Sequence, residues 1–529
     1  MTPISACRYP VGIQTFSEII NGGYVYVDKT DLVWNLTRQS KYIFLSRPRR
    51  FGKSLLSSTL RSYFEGRKDL FEGLKIMQLE QEWQEYPVIH LDLSLCKSQA
   101  NAEALQHAVA LQVELYENRY GKNPSELTPG QKLGGVVRRA FEQTGRQVAV
   151  IIDEYDAPLL EVLHEETMLP EFRRVMQDFY VPLKALDPYL KFCFITGITK
   201  FSQLSIFSTI NNLKNVTMHP DFAAICGITE QEVKTCFKEG IRRMAENYEC
   251  SWDEMFQKVK MMYDGYHFAK MSPDIYNPFS LLNAFMDKEL NAGWFASGTP
   301  TYLIRQMQKF RTDITQLDNM EAPSMAFDRP TEAMTDALPL LYQSGYLTIK
   351  GYDRNTEFYR LAIPNQEVRR GFIEGLLPTY IGLDSSNVQV GFAAKFWLAL
   401  RSHNLELALQ EMQAYLAGIP YVEGFKKKLQ EAATKEGFYE YTLYLIFSML
   451  NVYVRTQVKC AGGRTDMVVY MPDTTYILEL KVNASAQEAL QQIKARNYAL
   501  PYHTEGNSIV MVGIRFNADT RTIDDWVIE

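Results

Sequence analysis

The chain has 529 residues, 46% of them hydrophobic and 22% charged, with a formal net charge of −6; this is globular composition in a length that exceeds one ordinary core and predicts roughly two to four domains. No apolar segment approaches the ~20 residues that cross a bilayer, residues 1–20 lack a secretory pattern, and the seven cysteines form no C-x-x-C pair, so the expectation is a cytoplasmic protein without membrane span, disulfide framework or zinc site. The acidic balance does not advertise nucleic-acid binding, although a local basic surface can sit on an acidic protein.

Taken in order, YVDKTDLVWNLT reads as a helix capped by Asp28 or Thr30, whose position ahead of the first strand suggests a place beside a bound nucleotide. Tyr42-Ile43-Phe44-Leu45 is a short apolar run bounded by polar residues, as in a buried strand. It leads through RPRRF into Gly52-Lys53-Ser54, then LLSSTLRSYFEG with helical spacing. Strand, tight loop and Gly-Lys-Ser opening a helix is the layout of a phosphate-binding loop, in which backbone N–H groups and the positive helix end hold phosphate oxygens. Lys53 would reach the β- and γ-phosphates and the Ser54 hydroxyl would sit on Mg²⁺. Arg47 stands where the pattern G-x-x-x-x-G-K-[ST] has its first glycine.

Tyr86–Leu93 reads as a second strand, and residues 100–145 as a long helical, polar stretch. Val148–Ile152 is an unbroken apolar run ending in Asp153-Glu154-Tyr155-Asp156, the pattern of a central parallel strand that delivers carboxylates at its C-terminal edge. Asp153 can then hold Mg²⁺ through water and Glu154 can polarise the attacking water; the bland alternative is a buried strand ending in a solvated acidic turn. A helical segment around Glu171–Leu186 and a strand Lys191–Gly197 come next, so strands alternate with helices as in a three-layer α/β domain. Thr196 or Thr199 could sense the γ-phosphate from this neighbouring strand, or Thr199 could simply cap a helix.

From Gly227 the strand signal fades into an amphipathic helix, ITEQEVKTCFKEGIRRMAENY, and aromatic-rich helix and turn, together resembling the helical lid of AAA-type ATPases. Between about 300 and 375 a helix through LPLLYQSG precedes two alternating strands, Tyr346–Tyr352 and Glu357–Ile363, joined by a polar tip; this suggests a winged-helix-like module, which either touches nucleic acid or bridges domains. Helices connect it to the C-terminal part.

There, FYEYTLYLIFSMLN is an apolar helix with Glu440 near its start, and strands VYVRTQVKC, Arg464–Tyr470 and Thr475–Lys481 succeed it, then a helix with Gln491 and Gln492 and a last strand Ser508–Ile514. Glu479 and Lys481 are two apart and share one face of their strand. With Asp466 on the adjacent strand, two carboxylates can share a hard cation, and Lys481 can stabilise a deprotonated water for phosphodiester hydrolysis. An E-x-K on a strand is more often a surface ion pair, but Glu479 lies in an apolar run, where an unpaired carboxylate is costly.

Together YVDKT, RPRRFGKS, IIDEYD, FITGITKFS, YDGYHF, YNPFSLL, GRTDMVV, ILELK and the Gln-rich helix resemble, over almost the full length, the bacterial family that joins an AAA-ATPase-like domain to a C-terminal PD-(D/E)XK nuclease-like domain. The fold so implied is multidomain α/β: a P-loop NTPase domain at 1–226, a helical lid at 227–300, the winged-helix-like module at 301–375, a helical connector at 376–432 and a restriction-endonuclease-like α/β domain at 433–529. In that family RPRRFGKS is the usual form of the loop. The resemblance implies Lys53 and Ser54 for phosphate and Mg²⁺ and Asp153 and Glu154 for Mg²⁺ and water; Gly52 and Thr199 complete the ATP-binding set, and Arg49 and Arg50 could instead act on phosphate charge in their own or a neighbouring subunit. It further implies Mg²⁺ or Mn²⁺ at Asp466 and Glu479, Lys481 as catalytic lysine, Glu440 as supporting acid and Gln492 as helper.

The function expected is an ATP-controlled, metal-dependent nuclease with DNA favoured as its nucleic acid, suited to defence against foreign DNA or mobile elements, with a homo-oligomer left open. The alternative is a nucleotide-dependent switch that binds nucleic acid or a partner without cleaving; a plain ATPase with a structural C-terminal domain is the third reading.

Overall fold

The computed structural model describes residues 8–165, 167–200, 213–296, 320–330, 334–372, 402–417, 453–460, 463–471, 473–482, 484–503, 507–517, 519–520 and 522–529, with scattered positions at 303–317 and 392–400 and Leu443. By internal contacts the chain divides into two units, Met1–Thr312 with Asn319–Glu367, and Asp313–Asp318 with Val368–Glu529. Glu440, the end of FITGITKFS and most of 376–432 lie outside the described residues.

The first unit is built on a parallel sheet of β1 (Tyr42–Ser46), β2 (Val88–Asp92), β3 (Val148–Asp153), β4 (Leu190–Gly197) and β5 (Lys214–Asn215), in the order β2-β3-β4-β1-β5. Its inner strands are continuous apolar runs because both faces are covered. Val148, Val150 and Ile152 share one core with Leu105, Val109 and Val136 of the helices on that side. On the other face the helix Lys53–Phe64 packs down, with Phe64 stacked on Phe192 at 5.2 Å. β3 is interior as its sequence implied, although β4 holds the centre of the sheet. The stretch 100–145 is two helices, Ala102–Tyr120 and Pro129–Thr144. Gly121 ends the first at φ 97°, and Thr128 with Gln131 forms a capping box that starts the second.

A smaller all-helical core comes next. Val233, Ile241, Met255, Val259 and Leu281 meet from the helices Glu230–Cys236, Lys238–Asn247, Trp252–Tyr263 and Pro278–Asp287. The two-stranded β6 (Ile228–Thr229) and β7 (Ile275–Tyr276) close its base. Further along, the helix Leu338–Gln343 precedes the antiparallel pair β9 (Thr348–Tyr352) and β10 (Phe358–Ala362), as the alternation implied. A third strand, β8 (Met320–Pro323), adds to the outer side of β10. Four residues ending in proline carry no strand signal, and an edge position is where such a segment is tolerated.

The second unit carries β11 (Tyr453–Cys460), β12 (Gly463–Tyr470), β13 (Thr474–Lys481), β14 (Ser508–Asn517) and β15 (Thr522–Ile528), paired in chain order. Only β13 and β14 are parallel, and their crossover is the helix Ala486–Ala495. β15 was not legible as a strand because Asp524 and Asp525 interrupt its alternation; Asp524 is occupied by Arg515 at 2.8 Å. The helix Leu405–Ala417 packs on β15, with Gln413 donating to the Ile523 carbonyl at 2.7 Å. Among the described residues no helix is long and apolar enough to cross a membrane, and six cysteines are free.

Candidate functional sites

The first site lies at the carboxyl edge of the parallel sheet, where ligands of open α/β sheets bind. β1 ends at Ser46 and the chain turns through 47–52 into the helix that opens at Lys53. Gly52 sits at φ 90°, a left-handed conformation that only glycine adopts without strain. The Lys53 ammonium is 4% exposed and donates to the Arg47 carbonyl at 3.1 Å and the Pro48 carbonyl at 3.2 Å. These are neutral acceptors that an arriving phosphate can replace.

Across the loop, Asp153 at the end of β3 faces the Ser54 side chain. Burial lifts its carboxyl from 3.8 to about 6, against the pull of the nearby Ser54 hydroxyl and the charge of Lys53. A buried carboxylate beside a hydroxyl and a lysine is the oxygen-donor set that fits a magnesium–phosphate ligand. Glu154 comes directly after at φ 51°, donating its N–H to Asp153 Oδ1 at 2.9 Å, and its carboxylate lies 3.6 Å from Lys97 Nζ. Gly52, Lys53, Ser54, Asp153 and Glu154 therefore converge.

The remaining residues of the first set are placed differently. Thr199 is fully buried, and its hydroxyl donates to Asp156 Oδ2 at 2.7 Å. Thr196 donates to the Leu45 carbonyl at 2.7 Å. Both hydroxyls are thus committed to protein acceptors. Arg50 is exposed, with its guanidinium 4.6 Å from the Phe279 ring, and Arg49 lends its carbonyl to Trp294 Nε1 at 3.2 Å.

Sequence reasoning missed three features. Asp156, the last acid of IIDEYD, is wholly buried and accepts N–H bonds from Ile198 and Thr199 as well as the Thr199 hydroxyl. Arg47 turns its side chain out of the loop, donating to the carbonyls of Ser46, Thr217 and Phe222 at 2.9, 2.8 and 3.0 Å and lying 4.3 Å from the Phe268 ring. Beside Gly52, an apolar cleft is walled by Val25, Val27, Val33, Phe51 and Ile225; the alternation in YVYVD was its faint signal.

The second site sits in the five-stranded sheet. Met467 pairs with Leu478, which brings Asp466 and Glu479 to neighbouring positions at the end of the β12–β13 ladder. Asp466 Oδ2 accepts the Leu480 N–H at 2.8 Å. Glu479 is 1% exposed; its Oε1 takes the Gln492 amide and lies 3.4 Å from Lys481 Nζ, while Oε2 is buried with no hydrogen-bond partner among the described residues. Burial above all, and then the charge of Asp466, raise this carboxyl from 4.5 to about 7, with Lys481 opposing. Gln492 is aimed here because Ser485 and Glu488 form the capping box that sets the start of its helix.

An orphaned buried carboxylate oxygen beside a second carboxylate fits a hard divalent cation with oxygen ligands. Among the described residues no three His, Cys, Asp or Glu gather into a metal cluster. Asp466, Glu479, Lys481 and Gln492 are brought together as the sequence implied.

One unit thus presents a phosphate-binding-loop layout at a parallel sheet edge, and the other an acid pair with a lysine at the end of a strand ladder. Residues 10–207 match the family described as a predicted AAA-ATPase, and residues 434–526 match the PD-(D/E)XK nuclease superfamily. The chain is 32% identical over 538 residues to an uncharacterized protein in the vnfD 5′ region of Azotobacter chroococcum, with 99% of each covered. It belongs to this family, in which an AAA-ATPase-like domain is joined to a C-terminal PD-(D/E)XK nuclease domain. Among solved structures it is similar to the Walker-type ATPase of Pyrococcus abyssi, at 12% identity over 64% of this chain and 93% of that one, with a TM-score of 0.31. A second is Drosophila ORC bound to GC-rich DNA and Cdc6, at 13% identity over 83% and 70% of the two chains, TM-score 0.22.

Proposed function

We propose that the protein binds and hydrolyses ATP at the β1–β3 edge, and that this controls a metal-dependent nuclease at Asp466, Glu479 and Lys481, acting on DNA in defence against foreign or mobile elements. The observation that carries the nuclease reading is the buried Glu479 Oε2, an acceptor with no hydrogen-bond partner among the described residues. A divalent cation held by Asp466 and Glu479 would neutralise phosphate charge and lower the pKa of a water. Lys481 would supply positive charge at that site, and Gln492 holds the same Glu479 oxygen that Lys481 approaches.

At the nucleotide site Lys53 holds phosphate oxygens, Ser54 and Asp153 hold Mg²⁺, and Glu154 orients water. Thr199 takes part through Asp156, as a fixed element behind the site, and the apolar cleft beside Gly52 receives the base. Arg49 and Arg50 remain available to a neighbouring subunit in a homo-oligomer.

The test is cleavage of plasmid and single-stranded DNA by the full chain with Mg²⁺ or Mn²⁺, with and without ATP, beside Asp466→Ala. Cutting that is lost in the variant and altered by ATP is expected. A folded, ATP-binding preparation that never cuts would favour the second reading, a nucleotide-dependent switch that binds nucleic acid or a partner without cleaving.

A further inference from the structure

Arg47 occupies the position of the motif's first glycine, and its backbone carbonyl is one of the two that hold Lys53 at rest. Its side chain is 1% exposed. Every hydrogen-bond partner of that guanidinium among the described residues is a neutral carbonyl, its Nε has none, and the ring of Phe268 covers one face. Burial pushes its pKa down, but only to about 10, so the charge persists at neutral pH. A buried cation without a counter-ion among the described residues is costly, and in such surroundings its field reaches further than in water.

We propose that Arg47 is a specificity-determining residue of the phosphate site, whose buried and unbalanced charge, added to that of Lys53, favours ligands with more phosphates. It acts on the anion through the field and touches no ligand; a polyphosphate in the loop becomes its counter-charge. The proposal rests on the nucleotide-binding reading of that loop.

The experiment titrates the full chain calorimetrically with ATP, ADP and AMP in Mg²⁺, for wild type, Arg47→Gln and Arg47→Lys, with thermal melts of each. Wild type is expected to bind in the order ATP, ADP, AMP. Arg47→Gln should lose about tenfold in ATP affinity, the size of one partly screened charge, with little change for AMP. Arg47→Lys, which keeps the charge but not the fork of donors, should stay within about threefold of wild type for ATP. A folded Arg47→Gln that weakens ATP and AMP equally, or neither, would overturn the proposal and leave Arg47 as an anchor of the loop. If Arg47→Gln does not fold, a folded Arg47→Lys that has lost the wild-type ATP-to-AMP ratio overturns it instead. A wild type that binds no nucleotide removes the underlying reading and the proposal together, and is distinguishable from both.

Discussion

Gln492 donates its amide to the Glu479 oxygen that Lys481 also approaches, so among the described residues one oxygen of this buried carboxylate has two donors and the other has none. Removing a carboxylate from water costs free energy that two donors on a single oxygen recover only in part. The residue is therefore poised to take up either a proton or a cation.

Glu479→Gln is expected to stabilise the protein at pH 8 while abolishing cleavage. The folded pKa is raised from 4.5 to about 7, so between those values the folded state binds the extra proton and stability falls as pH rises through the window. Above it the wild type carries the full penalty, discounted here to about 2 kcal/mol. Thermal melts from pH 4 to pH 9 should show the two proteins diverging as pH rises. Mg²⁺ or Mn²⁺ should raise the wild-type melting temperature at pH 8 and leave Glu479→Gln unmoved. Parallel pH profiles would contradict the geometry.

Asp153 titrates in the same sense, its carboxyl lifted from 3.8 to about 6 mainly by burial. Metal ligation needs the carboxylate, so Mg²⁺-ATP affinity is expected to rise with pH up to about 6 and then level off. Asp153→Asn should flatten that profile and lower affinity at pH 7.5 by about tenfold, a loss of one ligand charge. Fluorescent-nucleotide titrations at pH 5 to pH 8 measure both.

The two sites were legible because each is written in residues close together along one strand or loop. Lys53 and Ser54 are adjacent, Asp153 and Glu154 end one apolar run, and Glu479 and Lys481 follow from the two-residue period of β13. What escaped was long-range. Thr199 looked like an open hydroxyl at a strand end, and only the fold brings Asp156 onto it from β3. Arg47 looked like a defect of the motif, because its partners Thr217, Phe222 and Phe268 lie more than a hundred residues away. β8 and β15 escaped because neither MEAP nor TIDDWVI alternates.

The grip of Asp156 on the Ile198–Thr199 turn gives a prediction. Asp156→Ala strips the acceptor from two N–H groups and one hydroxyl, all buried, and should cost about 3 kcal/mol in urea denaturation. Gly197→Ala should be comparably damaging, since its Cβ would come 2.3 Å from Asp156 Oδ1 and 2.5 Å from the Tyr155 ring. If ATP turnover depends on this turn, Asp156→Asn, which keeps one acceptor oxygen, should fall between wild type and Asp156→Ala in both stability and turnover. An Asn variant with wild-type values would show that the turn holds itself.

Gly513 of β14 pairs with Glu479, and the helix bearing Gln492 lies directly over it. A methyl group there would stand 2.1 Å from the Ala486 carbonyl oxygen and 2.7 Å from the Leu490 nitrogen. Both are backbone atoms of a capped helix, so the strain is relieved only by moving the helix away from the sheet. Gly513→Ala should therefore cost about 3 kcal/mol, at the upper end for overpacking. It should reduce cleavage beyond what the unfolded fraction explains, because Gln492 leaves Glu479. ATP binding, which belongs to the other unit, should be unchanged. Comparing cleavage per folded molecule in Gly513→Ala and Gln492→Ala decides the matter: equal losses assign the defect to the Gln492 contact, and a larger loss in Gly513→Ala assigns part of it to the strand itself.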